Sequence, residues 1–307
     1  MPLVSSKPVL QEALRRHFAV GAFNANNMEQ VQAIIEAAEE ERAPVILQVS
    51  QGAIRYAGLE FAAGLVRIAA SIATVPVVLH LDHGTDFDQN VRCLRAGFTS
   101  LMYDGSKKPF DENVATTRKI VEIAHAVDLP VEAELGKVLQ TSDHVTAEQV
   151  TAAMTDPDEA RRFVELTQVD SLAIACGSVH AMTSREAELD IPRVKAIHAQ
   201  IPNTPLVLHG SSGVKHESIV EAIANGICKV NVATALNQAF LEGIRKGLAE
   251  FPDSTDPRKS IGLGRDAVKE AVREKIRLFG SAGVIDAAGG FTSPKAQFRS
   301  AELGAVE

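Results

Sequence analysis

Short apolar runs alternate with amphipathic stretches about every 30 residues along the chain. Eight of these runs read as strands: 18–23 (FAVGAF), 44–50 (PVILQVS), 76–81 (PVVLHL), 100–104 (SLMYD), 131–136 (VEAELG), 171–176 (SLAIAC), 205–210 (PLVLHG) and 229–234 (KVNVAT). Each precedes a helical pattern with apolar positions three and four apart, such as 27–42 (NMEQVQAIIEAAEEER) after the first and 216–226 (HESIVEAIANG) after the seventh. Strands that are apolar at nearly every position are buried on both faces, as parallel strands are. Eight consecutive βα units close into a (β/α)8 barrel. The pattern therefore predicts an α/β chain with a single TIM barrel over residues 1–285 and a C-terminal tail over 286–307. That tail is rich in Ala, Gly and Ser, which predicts weak order or docking on a neighbour. Two connections, 137–155 and 177–189, are long enough to act as lids or binding loops.

In such a barrel the active site is built at the carboxyl ends of the strands. Asp82 and His83 end the third strand, Asp104 the fourth, and Glu134 lies near the end of the fifth. His180 follows the sixth, His209 ends the seventh, and Asn231 and Thr234 close the eighth. A lone strand-end histidine is more often a hydrogen-bonded packing residue than a ligand. Three at corresponding ends of one barrel have no reason to share a rim unless they share a task. His83, His180 and His209 with an open fourth position make a catalytic zinc set, the metal acting as a Lewis acid on a substrate oxygen. His80 points inward or helps orient a ligand, while His17, His125, His198 and His216 fall on helices or their flanks. HGSSG (209–213) and NVAT (231–234) place small residues, and so open backbone N–H groups, near helix starts, where barrels hold phosphate.

Charge and composition narrow the partners. A net charge of −8, with no basic run longer than a pair such as Lys107 and Lys108, argues against nucleic acid. No stretch approaches the ~20 apolar residues that cross a bilayer, and the first residues lack a signal-peptide core. The expectation is a cytoplasmic protein without a membrane partner. Cys93, Cys176 and Cys228 are widely spaced with no CxxC, which reads as core packing rather than a disulfide or thiolate zinc site.

From about residue 10 to 283 the chain resembles the zinc-dependent class II aldolases that cleave fructose or tagatose 1,6-bisphosphate. The resemblance is carried by GAFN (21–24), LHLDHG (79–84), AGFTSLMYDGS (96–106), VEAELG (131–136), TDPDEA (155–160), PLVLHGSSG (205–213), KVNVAT (229–234), DPRK (256–259) and FGSAG (279–283). It implies zinc on His83, His180 and His209, with Glu134 and Asp104 at an alternative or second cation position, divalent or monovalent. It implies that Asp82 is the acid–base residue at the C4 hydroxyl. Gly210, Ser212, Asn231 and Thr234 would hold the dihydroxyacetone-phosphate half, Asn231 facing the enediolate, with Asn24, Ser50 and Ala233 among the substrate contacts. Arg258 would reach the second phosphate in a neighbouring subunit of a homodimer or homotetramer. A Schiff-base mechanism would need a lysine; the only strand lysine, Lys229, is expected at the amino end of the eighth strand, away from the mouth.

The sequence also departs from the family pattern. Members commonly carry Gly-Gly-Ile-Glu-Asp in the loop after the fifth strand; here 140–144 reads QTSDH, so Ser142 stands at the Glu position and leaves Asp143 or Glu148 as substitutes. Ala233 stands where fructose-specific members usually have Asp, Ala181 and Ser184 replace a Gly and a Lys beside Arg185, and Asn237 replaces a cation that helps hold the far phosphate. Metal and dihydroxyacetone-phosphate handling are expected intact, while the aldehyde half is left open. The alternatives are a related aldolase with a different aldehyde and a non-catalytic metal-binding barrel; an acid–base Asp82 beside the histidines argues against the latter.

Overall fold

The computed structural model describes residues 3–140, 146–180 and 186–292. Eight strands form one parallel sheet: β1 (Val20–Asn24), β2 (Val45–Ser50), β3 (Val77–Asp82), β4 (Leu101–Tyr103), β5 (Val131–Leu135), β7 (Ser171–Ile174), β9 (Leu206–Leu208) and β10 (Ile227–Val232). They lie in the order β3-β2-β1-β10-β9-β7-β5-β4. The ends of that order meet through bridges from His80 to Ser100 and from Gly84 to Tyr103, with Leu81 N–H donating to Ser100 O at 3.1 Å. This closes the barrel, and each strand expected from the sequence falls within it.

The helices of the outer ring turn apolar stripes to the barrel, and several start on a capping side chain. Asn27 caps α2 (Met28–Glu40), Asp86 caps α5 (Phe87–Arg95), and Asp156, followed by Pro157, caps α8 (Pro157–Thr167). A helix outside the barrel repeat, α1 (Ser6–Arg16), crosses the amino end of the strands. It buries Val9, Leu10 and Ala13, and Ser6 Oγ lies 2.9 Å from Ser100 Oγ. The last unit carries two helices, α11 (Thr234–Glu250) and α12 (Pro257–Leu278), and α12 packs back on α2. There Glu41, at the end of α2, accepts from Arg277 Nη2 at 2.7 Å and Arg273 Nε at 3.0 Å.

The structure adds two findings to the sequence reading. Residues 286–292 fold on their own barrel: Ile285 bridges Phe291, and Thr292 receives Arg16 Nη1 on its carbonyl at 3.1 Å. Asp286 closes this turn by accepting the N–H groups of Ala288 and Gly290, a local bond that a reading of weak Ala/Gly composition overlooks. The long loops also carry structure, since β6 (Leu139–Gln140) pairs in parallel with β8 (Val179–His180) above the mouth.

Candidate active site

The segment that ends β3 turns sharply. His83 takes a left-handed conformation with φ 49°, uncommon for a residue with a side chain and a mark of imposed local geometry. Gly84 follows because a Cβ there would lie 2.5 Å from Met102 O, too close for any other residue while its own carbonyl accepts Asp104 N–H at 2.8 Å. The turn aims the His83 ring across the mouth while Asp82, at the last position of β3, stays 5% exposed.

His83, His180 and His209 converge, with one ring nitrogen from each lying within 4.8 Å of the others. His83 Nδ1–H donates to Asp104 Oδ2 at 2.8 Å, and His209 Nε2–H donates to Glu132 Oε1 at 3.0 Å. A carboxylate only accepts, so in neutral rings these partners leave lone pairs on His83 Nε2 and His209 Nδ1, which face each other at 3.1 Å. Glu134 adds its buried Oε2, 3.4 Å from His209 Nδ1, with no hydrogen-bond donor among the described residues. Opposed lone pairs beside an acceptor without a donor fit a cation, and the nitrogen-rich donor set suits a borderline metal such as zinc. His83, Asp104 and Glu134 form a second overlapping group able to hold an ion.

Without a metal, the electrostatics favour protons in its place. Burial opposes charge on His83, but the carboxylates of Asp82, Asp104 and Glu134 outweigh it and push the imidazole up to about 10. Burial, with His83 and His209 alongside, pushes His180 down to about 3, the neutral state a ligand needs. Burial and then the charge of Asp104 push the Glu134 carboxyl up to about 8. Asp104 is itself buried, yet its bond to His83 holds it well below the usual carboxylate range.

Asp82 is fixed from below. Asn24 Nδ2 donates to its Oδ2 at 2.6 Å and Asn231 Nδ2 to its Oδ1 at 3.3 Å. Gln48 in turn donates to Asn24 Oδ1 at 3.0 Å. Burial of Asp82 is outweighed by the neighbouring His83 and His209 and by the Asn24 bond, so its carboxyl sits below the ordinary value. Lys229 corrects the sequence expectation. It lies within β10, and its Nζ climbs the interior to Asn231 Oδ1 at 2.8 Å and Glu132 Oε2 at 2.8 Å. The expectation failed because it placed the Cα and ignored the reach of a four-carbon stem. His80 points inward as expected, its Nδ1 2.8 Å from Ser100 Oγ.

Asn24, Asp82, His83, His180, Gly210, Ser211, Ser212, Asn231, Ala233 and Thr234 line one cavity. The turn Ser211–Gly213 and α11 both start there without a side-chain cap, leaving backbone N–H groups open to an anion. Gly210 has φ 68°, and a Cβ on it would meet the Val179 carbonyl at 3.0 Å, so only glycine lets this turn pack under the strand that carries His180. Ser50 ends β2 in register with Asp82 and caps the following helix, α3 (Gln51–Ala57), through its Oγ.

Other expected residues do not join this group. Arg258 is exposed and paired with Asp256 at 2.8 Å. Glu148 lies in the first turn of α7 (Ala147–Ala152), outside the cavity lining. Asn237 Oδ1 accepts from Asn26 Nδ2 and Gln30 Nε2, both at 3.1 Å. Lys107 lines a second cavity on the far side of His83 and His180, together with Asp104, Glu134 and Lys137, while Lys108 pairs with Glu112. Asp143, Ser142, Ala181, Ser184 and Arg185 lie outside the described residues. Sequence reasoning missed Glu132 and Gln48, although each stands two residues before a mouth residue on a buried strand and so shares its inward face.

Comparison with known proteins agrees with this geometry. The chain is 47% identical over 286 residues to the fructose-bisphosphate aldolase of Geobacillus stearothermophilus, covering 92% of this chain and 99% of that one. It is 42% identical over 304 residues to the fructose-bisphosphate aldolase of Thermus caldophilus, with the same coverage of 92% and 99%. Among solved structures it is similar to the crystal structure of the YdjI aldolase from Escherichia coli K12, with a TM-score of 0.80 and 36% identity over 92% of this chain and 98% of that one. The family described as fructose-bisphosphate aldolase class-II matches residues 4–284. A match over nearly the whole chain, with the strand-end residues already gathered at one mouth, places this protein in the class-II fructose-bisphosphate aldolase family.

Proposed function

We propose that the protein catalyses reversible cleavage of fructose 1,6-bisphosphate, or its C4 epimer tagatose 1,6-bisphosphate, to dihydroxyacetone phosphate and glyceraldehyde 3-phosphate, with zinc as its metal. The observation that carries this reading is the convergence of ring nitrogens from His83, His180 and His209, with His83 and His209 3.1 Å apart, beside a buried Asp82. His83, His180 and His209 would hold the ion, and Asp104 and Glu134 an alternative or second cation. Zinc supplies Lewis acidity toward the C2 oxygen, where negative charge develops. Asp82, held ionised by the neighbouring His83 and His209 and by its Asn24 donor, takes the C4 hydroxyl proton. The C3–C4 electron pair then moves toward C2, leaving the enediolate of dihydroxyacetone phosphate, and C4 becomes the aldehyde carbonyl. Asn231 faces the enediolate. The N–H groups around Gly210, Ser212 and Thr234 receive the near phosphate, with Asn24, Ser50 and Ala233 along the sugar chain. Return of a proton to C3 falls to an acid of the loop after β5, Asp143 or Glu148.

The same reading makes the protein a cytoplasmic homodimer or homotetramer in which Arg258, exposed away from its own mouth, serves a neighbour's far phosphate. A second reading keeps the reaction and changes the aldehyde, and it is favoured by Asn237, whose position carries an amide bonded to Asn26 and Gln30 rather than a cation. One assay tests both: release of dihydroxyacetone phosphate from fructose and tagatose 1,6-bisphosphate and from ketose 1-phosphates, before and after chelation and zinc repletion. No release from any of them sinks the proposal. Release from the monophosphates alone selects the second reading.

A further inference from the structure

Beneath the mouth lies a buried ion pair that the proposed reaction does not use. Lys229 is 1% exposed and Glu132 2%. Each stands two residues before a mouth residue, Asn231 on β10 and Glu134 on β5, and so shares its inward face. A buried ion pair loses hydration and often adds no stability over apolar residues of the same size. Its presence in a barrel core therefore calls for a role beyond packing.

The donors and acceptors supply one. An ammonium only donates, so Asn231 turns Oδ1 to Lys229 at 2.8 Å and Nδ2 to Asp82 at 3.3 Å. Glu132, paired with the same ammonium, accepts from His209 Nε2, and His209 keeps Nδ1 for the metal centre. On the other flank Gln48 alone orients Asn24, where no metal ligand needs holding. We propose that Lys229 is a positioning residue that fixes the orientation of the substrate-facing amide of Asn231 directly and the tautomer of His209 through Glu132. One side chain thus aligns the organic and the metal halves of the site.

The inference rests on the aldolase reading for its kinetic arm only; its metal arm needs no substrate. Lys229→Met alone would strand the Glu132 charge, so the working variant is Lys229→Met with Glu132→Gln, checked for folding by thermal melting. Zinc affinity, read by competition with a chromophoric chelator, should fall ~10- to 100-fold, the scale for losing an outer partner of a ligating histidine. At saturating zinc, kcat should fall at least ~10-fold while KM for fructose 1,6-bisphosphate changes less than ~2-fold, since the phosphate cradle is untouched. In an Asn231→Ala background the same pair should lower kcat less than ~2-fold further, because the residue it acts through is gone. Unchanged zinc affinity, or a kcat loss that simply adds to that of Asn231→Ala, overturns the proposal. If the double variant does not fold, Lys229→Arg, which keeps the charge and displaces its donors, faces the same two measurements. A parent protein that releases no dihydroxyacetone phosphate sinks the proposed reaction and leaves zinc affinity to decide this inference.

Discussion

His83 Nε2 stands 3.1 Å from His209 Nδ1, and in neutral rings neither nitrogen carries a proton, because the other half of each ring donates to its carboxylate. One cation satisfies both nitrogens, either the proton that the surrounding carboxylates favour on His83 or a metal that displaces it, so metal binding and protonation of His83 compete. Chelation should abolish turnover and lower the melting temperature by mass action while far-UV circular dichroism keeps the barrel signal, and zinc should restore both. Full turnover in metal-free protein would remove the basis of the reading.

Asp82 receives amide N–H groups from Asn24 and Asn231 and offers no side chain to the metal set. Asp82→Ala should therefore retain zinc at unit stoichiometry and lose at least ~10²-fold in kcat, the usual scale for a removed acid–base group. Metal content by atomic absorption separates the two effects, and a variant as fast as its parent would assign the proton elsewhere.

Gly210 packs under the strand that holds His180. Gly210→Ala would meet Val179 O at 3.0 Å and hold a side chain at φ 68°, a strain of about 1 to 2 kcal/mol that displacement of the strand can relieve. The expected result is weaker zinc binding together with a raised KM, measured by chelator competition and steady-state kinetics. A variant changed in neither property would mean that the turn and the His180 strand move independently.

Away from the mouth, Glu41 ties the end of α2 to Arg273 and Arg277 of α12. Its bond to Arg277 is the largest influence and, with Arg273, holds the carboxyl below its ordinary 4.5 despite burial. A depressed carboxyl contributes stability above the unfolded value and loses it as pH falls through the folded one. Glu41→Gln should thus cost about 1 kcal/mol at pH 7, modest because the arginines are partly exposed. Urea midpoints of parent and variant should converge below pH 4.5; a gap that persists in acid would point to packing rather than charge.

The barrel and its three histidines were legible because both depend on local rules: apolar runs make strands, and position at a strand end fixes which rim a side chain joins. The layer below was harder to read. Glu132, Lys229 and Gln48 look misplaced in buried strands until their cross-barrel partners are known, and those partners are 97 residues apart for Glu132 and Lys229. The alternation was present in VEAEL and ICKVNV, where polar residues fall two apart among apolar ones. It marks an inward face without saying which residue meets which. The turn of residues 286–292 escaped for the opposite reason, since it rests on one Asp286 side chain rather than on a pattern.

The second reading of specificity rests on Asn237. Its Oδ1 joins Asn26 and the buried Gln30 in an amide cluster, and in the proposed reaction a cation at this position would pair with the far phosphate of a bisphosphate. Asn237→Arg would supply that cation, and a charge-assisted contact contributes about 1.5 to 3 kcal/mol, or about 10- to 150-fold in binding. It would also remove the acceptor that satisfies Gln30 Nε2, so some loss of thermal stability should accompany the change. The expected outcome is a lower KM for fructose 1,6-bisphosphate with KM for ketose 1-phosphates little altered, because the proposed reaction would hold the near phosphate at Gly210, Ser212 and Thr234. Equal shifts for both substrate classes would mean that the substitution acts through the disturbed amide cluster. No shift for either would mean that residue 237 does not face the aldehyde half, and discrimination would then have to come from Arg258 of a neighbouring subunit.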